Sequence, residues 1–475
     1  MWFLIGCSLF LTIPTYAQSV ITWDPEQRLS FDSTAAYSPH IQAVGDTIFV
    51  AWGKPNLAQL VLRRSTDGGA TWGLPRSLLP DTILNTAVSD EFVAANDLAY
   101  VVWDACDTCD THHPGVWLRR SSDAGTTFDE PRRAIIGSIS SHPTARDSSL
   151  VFTHRDRSGA KDLAVSTDSG ANWQFKPIED RGFQRLTLVG SVMHLIQSSS
   201  GTPQAEISYR RTTDLGTTWS PELILSTIDD YSSSPSDAAI AGVANGALFV
   251  VWIDAKYGGT NWFVGSVLLR RSIDNGVGWE DEVLQTDVPS GTLPSVSACD
   301  RFVGVVWGNE SQPFTGISLR VSTDSGQSWL PHIAVSDSTI QAGDPDVVII
   351  RDKIFVVWAD GRTGMSQIYL RQGTFTIAGV QESGPRGLNQ LHLYPGYPNP
   401  FNSTTTITYY LPDAAFVSIT LYDILGREIK SLLGKQQEPG LHRVRLDASG
   451  LASGVYLIRL QAGDAVASRT VIYMK

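Results

Sequence analysis

The sequence predicts an all-β protein, a ring of four-stranded sheets followed by a small sandwich, and three observations carry that prediction. A short turn signature, Ser/Thr-x-Asp-x-Gly-x-x-Trp/Phe, occurs six times. Each copy follows runs of β-branched and aromatic residues bounded by Gly, Pro, Asn or Asp, which is the composition of strands. The last stretch, 391–475, drops the signature and keeps only short alternating polar and apolar runs.

The six copies span 65–72, 121–128, 166–173, 212–219, 272–279 and 322–329. Their aspartates, Asp67, Asp123, Asp168, Asp214, Asp274 and Asp324, lie 56, 45, 46, 60 and 50 residues apart. That interval holds one four-stranded blade and loops of variable length. Each copy has the chemistry of a turn. The carboxylate accepts backbone N–H bonds two residues on, the Gly permits a positive φ, and the closing aromatic covers the hairpin. A local job repeated at one register is scaffolding, so these aspartates are expected to be structural.

Upstream of each copy stands a buried-looking strand, and five of these end in Trp52, Trp103, Trp252, Trp307 and Trp358. The runs 150–153 and 192–196 hold the same place without the Trp. Counting this strand gives seven units rather than six. The seventh stops near Arg371 with no signature and no fourth strand, while 21–31 reads as an orphan fourth strand resembling 219–226. The N-terminal strand is therefore expected to complete the last blade and leave no open edge. A seven-bladed β-propeller follows, with six blades as the alternative.

These turns and strands resemble the bacterial neuraminidase repeat, or Asp-box, family of sialidase-like propellers over roughly 21–375. The resemblance implies the fold. As that family runs the sialidase reaction, it implies an arginine trio for the substrate carboxylate, a Tyr nucleophile with a Glu, and an Asp acid/base. The family's first arginine sits in an Arg-Ile-Pro motif, and the corresponding run 37–42 contains none. Arg155, Arg157, Arg181 and Arg362 are available, yet no context marks them as a trio. The expected function is an exported propeller that binds glycan or protein ligands through its loop rim. The alternative is a diverged extracellular glycoside hydrolase of exo-sialidase type.

Residues 379–390 are polar and rich in Gly and Pro, and read as a linker. Beyond them stand Tyr397, Pro398, Asn399, Pro400, Phe401 and Asn402, then the runs 421–428 and 450–456, and a terminal Lys475. In that order they resemble a type A sorting domain of type IX secretion. The resemblance implies an immunoglobulin-like β-sandwich over 391–475 that hands the chain to the secretion machinery. A plain carbohydrate-binding sandwich is the alternative.

The other end agrees with export. Residues 1–13 are apolar but too short to span a bilayer, and small residues at 15 and 17 place a cleavage site before Gln18. A lipoprotein box at 4–7 would have almost nothing before it. The expected division is leader 1–17, propeller 18–378, linker 379–390 and sorting domain 391–475, with the product secreted or held on the outer surface. No other segment reaches transmembrane length. The net charge is −12, and the first 390 residues hold 28 basic against 42 acidic side chains. Nucleic acid and anionic lipid, which need a basic footprint, are excluded as principal partners.

In a four-stranded blade the signature turn joins strands three and four on one rim, and the loops between strands two and three emerge on the other. Binding residues are expected there, because loops on a rigid scaffold are free to vary. The informative loops are 104–115, 254–265, 308–316 and 359–365. The first gathers Asp104, Cys106, Cys109, His112 and His113. It reads as a Cys106–Cys109 disulfide, as a metal site, or as an ordinary loop. Tyr257 and Trp262 either stack on a sugar or cover a blade top. Asp360 and Arg362 either meet a ligand or tie their own loop. Cys299 reads as a small core residue, and the paired arginines before each signature as structural. No cofactor is expected.

Overall fold

The computed structural model describes residues 19–31, 34–54, 59–79, 91–105, 115–139, 142–156, 158–179, 181, 184–198, 206–227, 233–255, 264–286, 290–309, 316–336, 342–377, 392–393, 401, 404–411, 413–423, 426–438, 440–463 and 465–473. The chain divides into two compact units, Met1–Ala378 and Gly379–Lys475. Every regular element among the described residues is a strand, and no helix is long and apolar enough to cross a membrane.

The first unit is a β-propeller. Its described residues form seven antiparallel sheets, numbered here in chain order. Sheet one shows the plan: Tyr37–Val44, Thr47–Lys54, Gln59–Ser65 and the short Arg76–Ser77, each hydrogen-bonded to the next. The first strands of successive sheets touch in a circuit, and that of sheet seven touches that of sheet one.

Sheet seven is completed from the other end of the unit. Its strands Ala342–Ile350, Lys353–Asp360 and Gln367–Ile377 are joined by Ser19–Trp23 and Gln27–Arg28. Ser19 lies opposite Ile377, and Gln27 opposite Leu370. Ser30 Oγ then donates to Gln367 Oε1 at 2.8 Å and accepts from Ile368 N at 2.8 Å. Pairing the two ends of the ring satisfies a strand edge that would otherwise stand open.

The second strands form the core because their alternating faces both meet neighbouring sheets. Trp52, Trp103, Trp252 and Trp358 are fully buried there and Trp307 nearly so. In pairing register, the place of Trp52 opposite Val61 is taken in sheet three by His154, opposite Asp162, and in sheet four by Gln197, opposite Ser208. Two sheets therefore carry a smaller polar side chain where the others carry Trp.

The six signature turns share one geometry, which differs from expectation in one respect. In sheet one Ser65 Oγ donates to Asp67 Oδ1 at 2.8 Å and accepts from Gly69 N at 2.9 Å. Asp67 Oδ1 accepts from Thr71 N at 2.9 Å, and Oδ2 from Thr71 Oγ1 at 2.6 Å. The carboxylate thus reaches four residues on rather than two. The reason is competition: the hydroxyl has already taken the amide two residues beyond the aspartate. The same Ser/Thr and Asp bonds recur at Asp123, Asp168, Asp214, Asp274 and Asp324.

Each turn is also gripped by a neighbouring sheet. A cation donates to a carbonyl in every one: Lys353 to Gly68, Arg64 to Ala124, Arg132 to Gly170, Lys176 to Leu215, Arg211 to Asn275 and Arg271 to Ser325. Contact is close enough that a Cβ on Gly276, which has φ +80°, would collide with the Tyr209 hydroxyl. Arg63, Arg119 and Arg210, the first of their pairs, and Arg320, which Val321 follows, donate to carbonyls just ahead of their own outer strands. Arg63, Arg119 and Arg320 also reach carbonyls beyond their own sheet, at Leu29, Leu78 and Leu284.

The second unit contains a three-stranded sheet, His392–Leu393, Thr404–Leu411 and Gly440–Asp447, and a four-stranded one, Glu428–Gln437, Ala415–Asp423, Gly454–Ala462 and Ala465–Tyr473. Ile407, Leu411, Val417, Ile419, Ile458 and Leu460 from the two sheets share one core. Phe401 is buried in it, donating its N–H to Ile472 O at 2.9 Å and packing on the Tyr473 ring. Tyr397, Pro398, Asn399, Pro400 and Asn402 lie outside the described residues, as do residues 1–17, the expected leader.

Candidate functional site

The rim opposite the signature turns is set by the ends of the second strands, where three acids follow the buried tryptophans. Asp104, Asp254 and Asp360 are all buried. A buried carboxylate is costly unless its oxygens are satisfied, and the partners of these three define what they do.

Asp104 accepts Ile139 N on both oxygens, at 2.9 and 3.1 Å. It thereby ties sheet two to the first strand of sheet three. Trp252 Nε1 lies 3.4 Å from Asp254 Oδ2. Asp360, with a side chain 0% exposed, is the most heavily engaged. It accepts from Trp358 Nε1 at 3.3 Å and from Arg362 through the backbone N at 2.8 Å and Nε at 2.9 Å. Arg362 Nη1 continues to Glu26 Oε2 at 2.7 Å, and the guanidinium lies 4.4 Å from the Tyr369 ring centre. The Asp360 hydrogen bond, and then that of Glu26, hold the Arg362 pKa above its ordinary value against the opposing effect of burial. Asp360 and Arg362 thus close their own loop and clamp the N-terminal segment to sheet seven.

Asp104 stands in sheet two and Asp360 with Arg362 in sheet seven, so the sequence candidates share a rim without meeting. Cys106, Cys109, His112, His113, Tyr257 and Trp262 lie outside the described residues. Cys299 is half-buried at the end of a first strand and packs against the core of sheets six and seven; burial raises its thiol pKa. Among the described residues no group of three His, Cys, Asp or Glu side chains could hold a metal ion.

Of the arginines considered for a substrate carboxylate, the three described have partners of their own. Arg155 Nη1 donates to Gly159 O at 3.2 Å. Arg181 pairs with Glu179 and, at 2.6 Å, with Glu222. Arg362 is held as described, and Arg157 lies outside the described residues.

A second group, near the starts of the first strands, was not anticipated from the sequence. Asp346 Oδ2 accepts Ile41 N at 2.9 Å, and Oδ1 accepts Ser295 Oγ at 2.6 Å, so one carboxylate joins sheets six, seven and one. His40 Nδ1 stands 3.6 Å from Asp346 Oδ2, and its ring meets His142 edge-on at 5.5 Å. Burial works against the Asp346 charge, but the bonds from His40, Ser295 and Ile41 outweigh it and lower the pKa. The ladder slips beside each of these residues, and Ser38, Leu293 and Asp344, each preceding a Pro, have φ of 49°, 47° and 50°. Positive φ at non-glycine residues stores strain. The signal was present in the sequence as the recurring x-Pro-x of 38–40, 293–295 and 344–346.

No curated protein matches the chain. Residues 396–474 match the family described as the secretion system C-terminal sorting domain. That match implies handling by the type IX machinery and an outer-surface or secreted location. Among solved structures, an ulvan lyase of polysaccharide lyase family PL25, bound to a GlcA-Rha3S ligand, is similar at 11% identity. It covers 74% of this chain and 95% of its own, with a TM-score of 0.50. An α-L-arabinanase of Penicillium chrysogenum complexed with arabinobiose is 13% identical over 78% of this chain and 100% of its own, with a TM-score of 0.44. YCF48 bound to D1 peptide is 15% identical over 76% and 97%, also with a TM-score of 0.44. Identities this low speak to fold alone.

Proposed function

We propose that the chain is an exported propeller that binds glycan or protein ligands through its loop rim and performs no glycosidase chemistry. In this reading 1–17 is a removed leader, 18–378 the binding body, 379–390 a linker and 391–475 the sorting domain.

One observation carries the reading. Acids that follow the buried tryptophans on this rim are bonded to the scaffold, as in Asp104 to Ile139 and Asp360 to Arg362 and on to Glu26. A two-carboxylate glycosidase keeps both groups free to face one bond, and one of sialidase type keeps its arginines and its acid free to face the substrate. Asp360 and Asp104 instead sit in different sheets with their acceptors occupied. The variable loops above them are then left to recognise a ligand.

A glycan array probed with the leaderless chain, run beside a fluorogenic sialoside assay, tests this. Retention on glycans or on a protein ligand without sialoside turnover is expected. Turnover that is lost in Arg362→Lys or Arg181→Lys would overturn it and favour the diverged hydrolase.

A further inference from the structure

Sheets two and three part company with the rest of the ring at their junction on the loop rim. The outer strand of sheet two runs for five residues, Arg132–Ile136, where sheets one, four, five and six use two. It passes through Gly137, at φ +131°, straight into Ser138–Ile139 of sheet three. There is no room for a Cβ at Gly137, which would collide with Arg155 O. At the same level the buried Trp of the repeat is replaced by His154.

The smaller ring leaves a groove of about 530 Å³, lined by Arg133, Ile136, His154, Asp156, Asp162 and Phe175. Its walls are Phe175, 49% exposed, and Ile136, 45% exposed. Exposed apolar side chains rimmed by polar ones and set around one groove form the kind of surface on which ligands settle. The floor is His154, 2% exposed, whose ring centre lies 5.0 Å from that of Phe175. His154 Nδ1 has no hydrogen-bond partner among the described residues. Burial lowers the pKa of this imidazole and keeps it neutral. Asp156 uses Oδ1 to hold the turn 156–160, which places this wall on the connection between strands two and three.

We propose that this groove is a subsite for one pyranose ring of a neutral glycan. The proposal rests on the reading that the loop rim is the ligand face. A pyranose offers an apolar C–H face and a belt of hydroxyls that both donate and accept. The groove offers the Phe175 face and the acceptors Asp156 and Asp162. Its size suits a ligand pocket with a few polar groups set among apolar ones. Two carboxylates at the groove, in a chain whose first 390 residues hold 42 acidic against 28 basic side chains, disfavour a uronate or sulfated sugar.

The test is affinity electrophoresis of the full chain in gels carrying laminarin, glucomannan or xyloglucan, with polygalacturonate and heparin as anionic comparators. Retardation by at least one neutral polysaccharide is expected. Phe175→Ala should weaken it by about tenfold or more, since an aromatic platform contributes on that order. His154→Trp, which introduces the residue that five of the other sheets carry and fills the groove, should abolish it while leaving the unfolding midpoint no lower. Retardation that is unchanged in both variants overturns the groove but leaves the loop-rim reading standing. Retardation by the anionic polymers alone overturns the neutral ligand. Failure of every polysaccharide, together with a peptide-array signal lost in Phe175→Ala, overturns it in favour of a protein ligand on the same rim.

Discussion

The two rims of the propeller use the same residue types for different ends. On the rim of the signature turns, the aspartates are exposed, Asp324 half-buried, and each spends both oxygens within eight residues of chain, as Asp67 does on Ser65 and Thr71. On the loop rim, Asp104 and Asp360 are buried; Asp104 bonds Ile139 in the next sheet, and Asp360 holds Arg362 for a longer reach. Arg362 meets Glu26 across 336 residues. A local device can recur in every blade with little adjustment, whereas a long-range clamp is particular to its place. The repeating rim therefore builds the ring, and the irregular rim is free to differ blade by blade.

The comparison breaks most visibly at Arg362. Arg362→Ala leaves Asp360 charged and buried, and loss of one partner of a buried pair costs about 3–5 kcal/mol. A large fall in the urea midpoint is expected, and Asp360→Asn in the same chain should recover part of it. A midpoint that does not move would mean that the pair is not a clamp. The turn rim should answer next. Gly276→Ala meets both the positive φ and the Tyr209 hydroxyl, and about 2–4 kcal/mol is expected from strain plus overpacking. Gly364 on the loop rim has φ +88° and nothing within 4 Å of a new Cβ. Gly364→Ala should lose only the conformational part, about 1–2 kcal/mol. Equal losses at the two glycines would show that the turns are not pressed against their neighbours.

A third effect is a pH dependence beneath the turn rim. His194 Nδ1 lies 2.7 Å from Tyr209 Oη in the core, and burial, aided by Arg211, lowers its pKa to about 4. An unfolded chain protonates this imidazole near its ordinary value of 6.5. Between those values the unfolded state binds the extra proton, so stability falls as pH drops from about 6.5 to 4 and is flat above. The slope is at most about 1.4 kcal/mol per pH unit. His194→Phe, the residue that sheets one, five and seven carry there, should flatten that limb when urea midpoints are plotted against pH.

How much was legible follows the same division. The propeller, its repeats and the closing role of the N-terminal segment were readable because each is written in local turn chemistry and strand composition. The sorting segment was readable because its motifs are contiguous. Asp346 was not, since its partners Ser295 and Ile41 come from two other sheets and only the ladder slips bring them together. The missing Trp of sheet three was visible, but that His154 stands in its place needs the pairing register. Asp360 and Arg362 were singled out with their choice of partners open, and Glu26 could not be guessed from either neighbourhood.

The smallest effect bears most directly on the role of the repeats. Asp67 has its pKa lowered to about 2, first by the Thr71 hydroxyl, then by the Thr71 N–H and the Ser65 hydroxyl. Because the folded value lies below the ordinary 3.8, its contribution is present above that pH and is lost as pH falls towards 2. Asp67→Asn keeps a carbonyl acceptor for Thr71 N–H but gives up the charge behind all three of the carboxylate's bonds. At neutral pH a small fall in the urea midpoint is expected, shrinking as pH approaches 2, where the native carboxyl is itself protonating. Five further turns of the same build and the Lys353 bond to Gly68 remain to hold the ring. Polysaccharide retention by Asp67→Asn should equal that of the unaltered chain. If it is lost while the fold survives, the turn rim takes part in recognition, and the separation of duties between the rims fails.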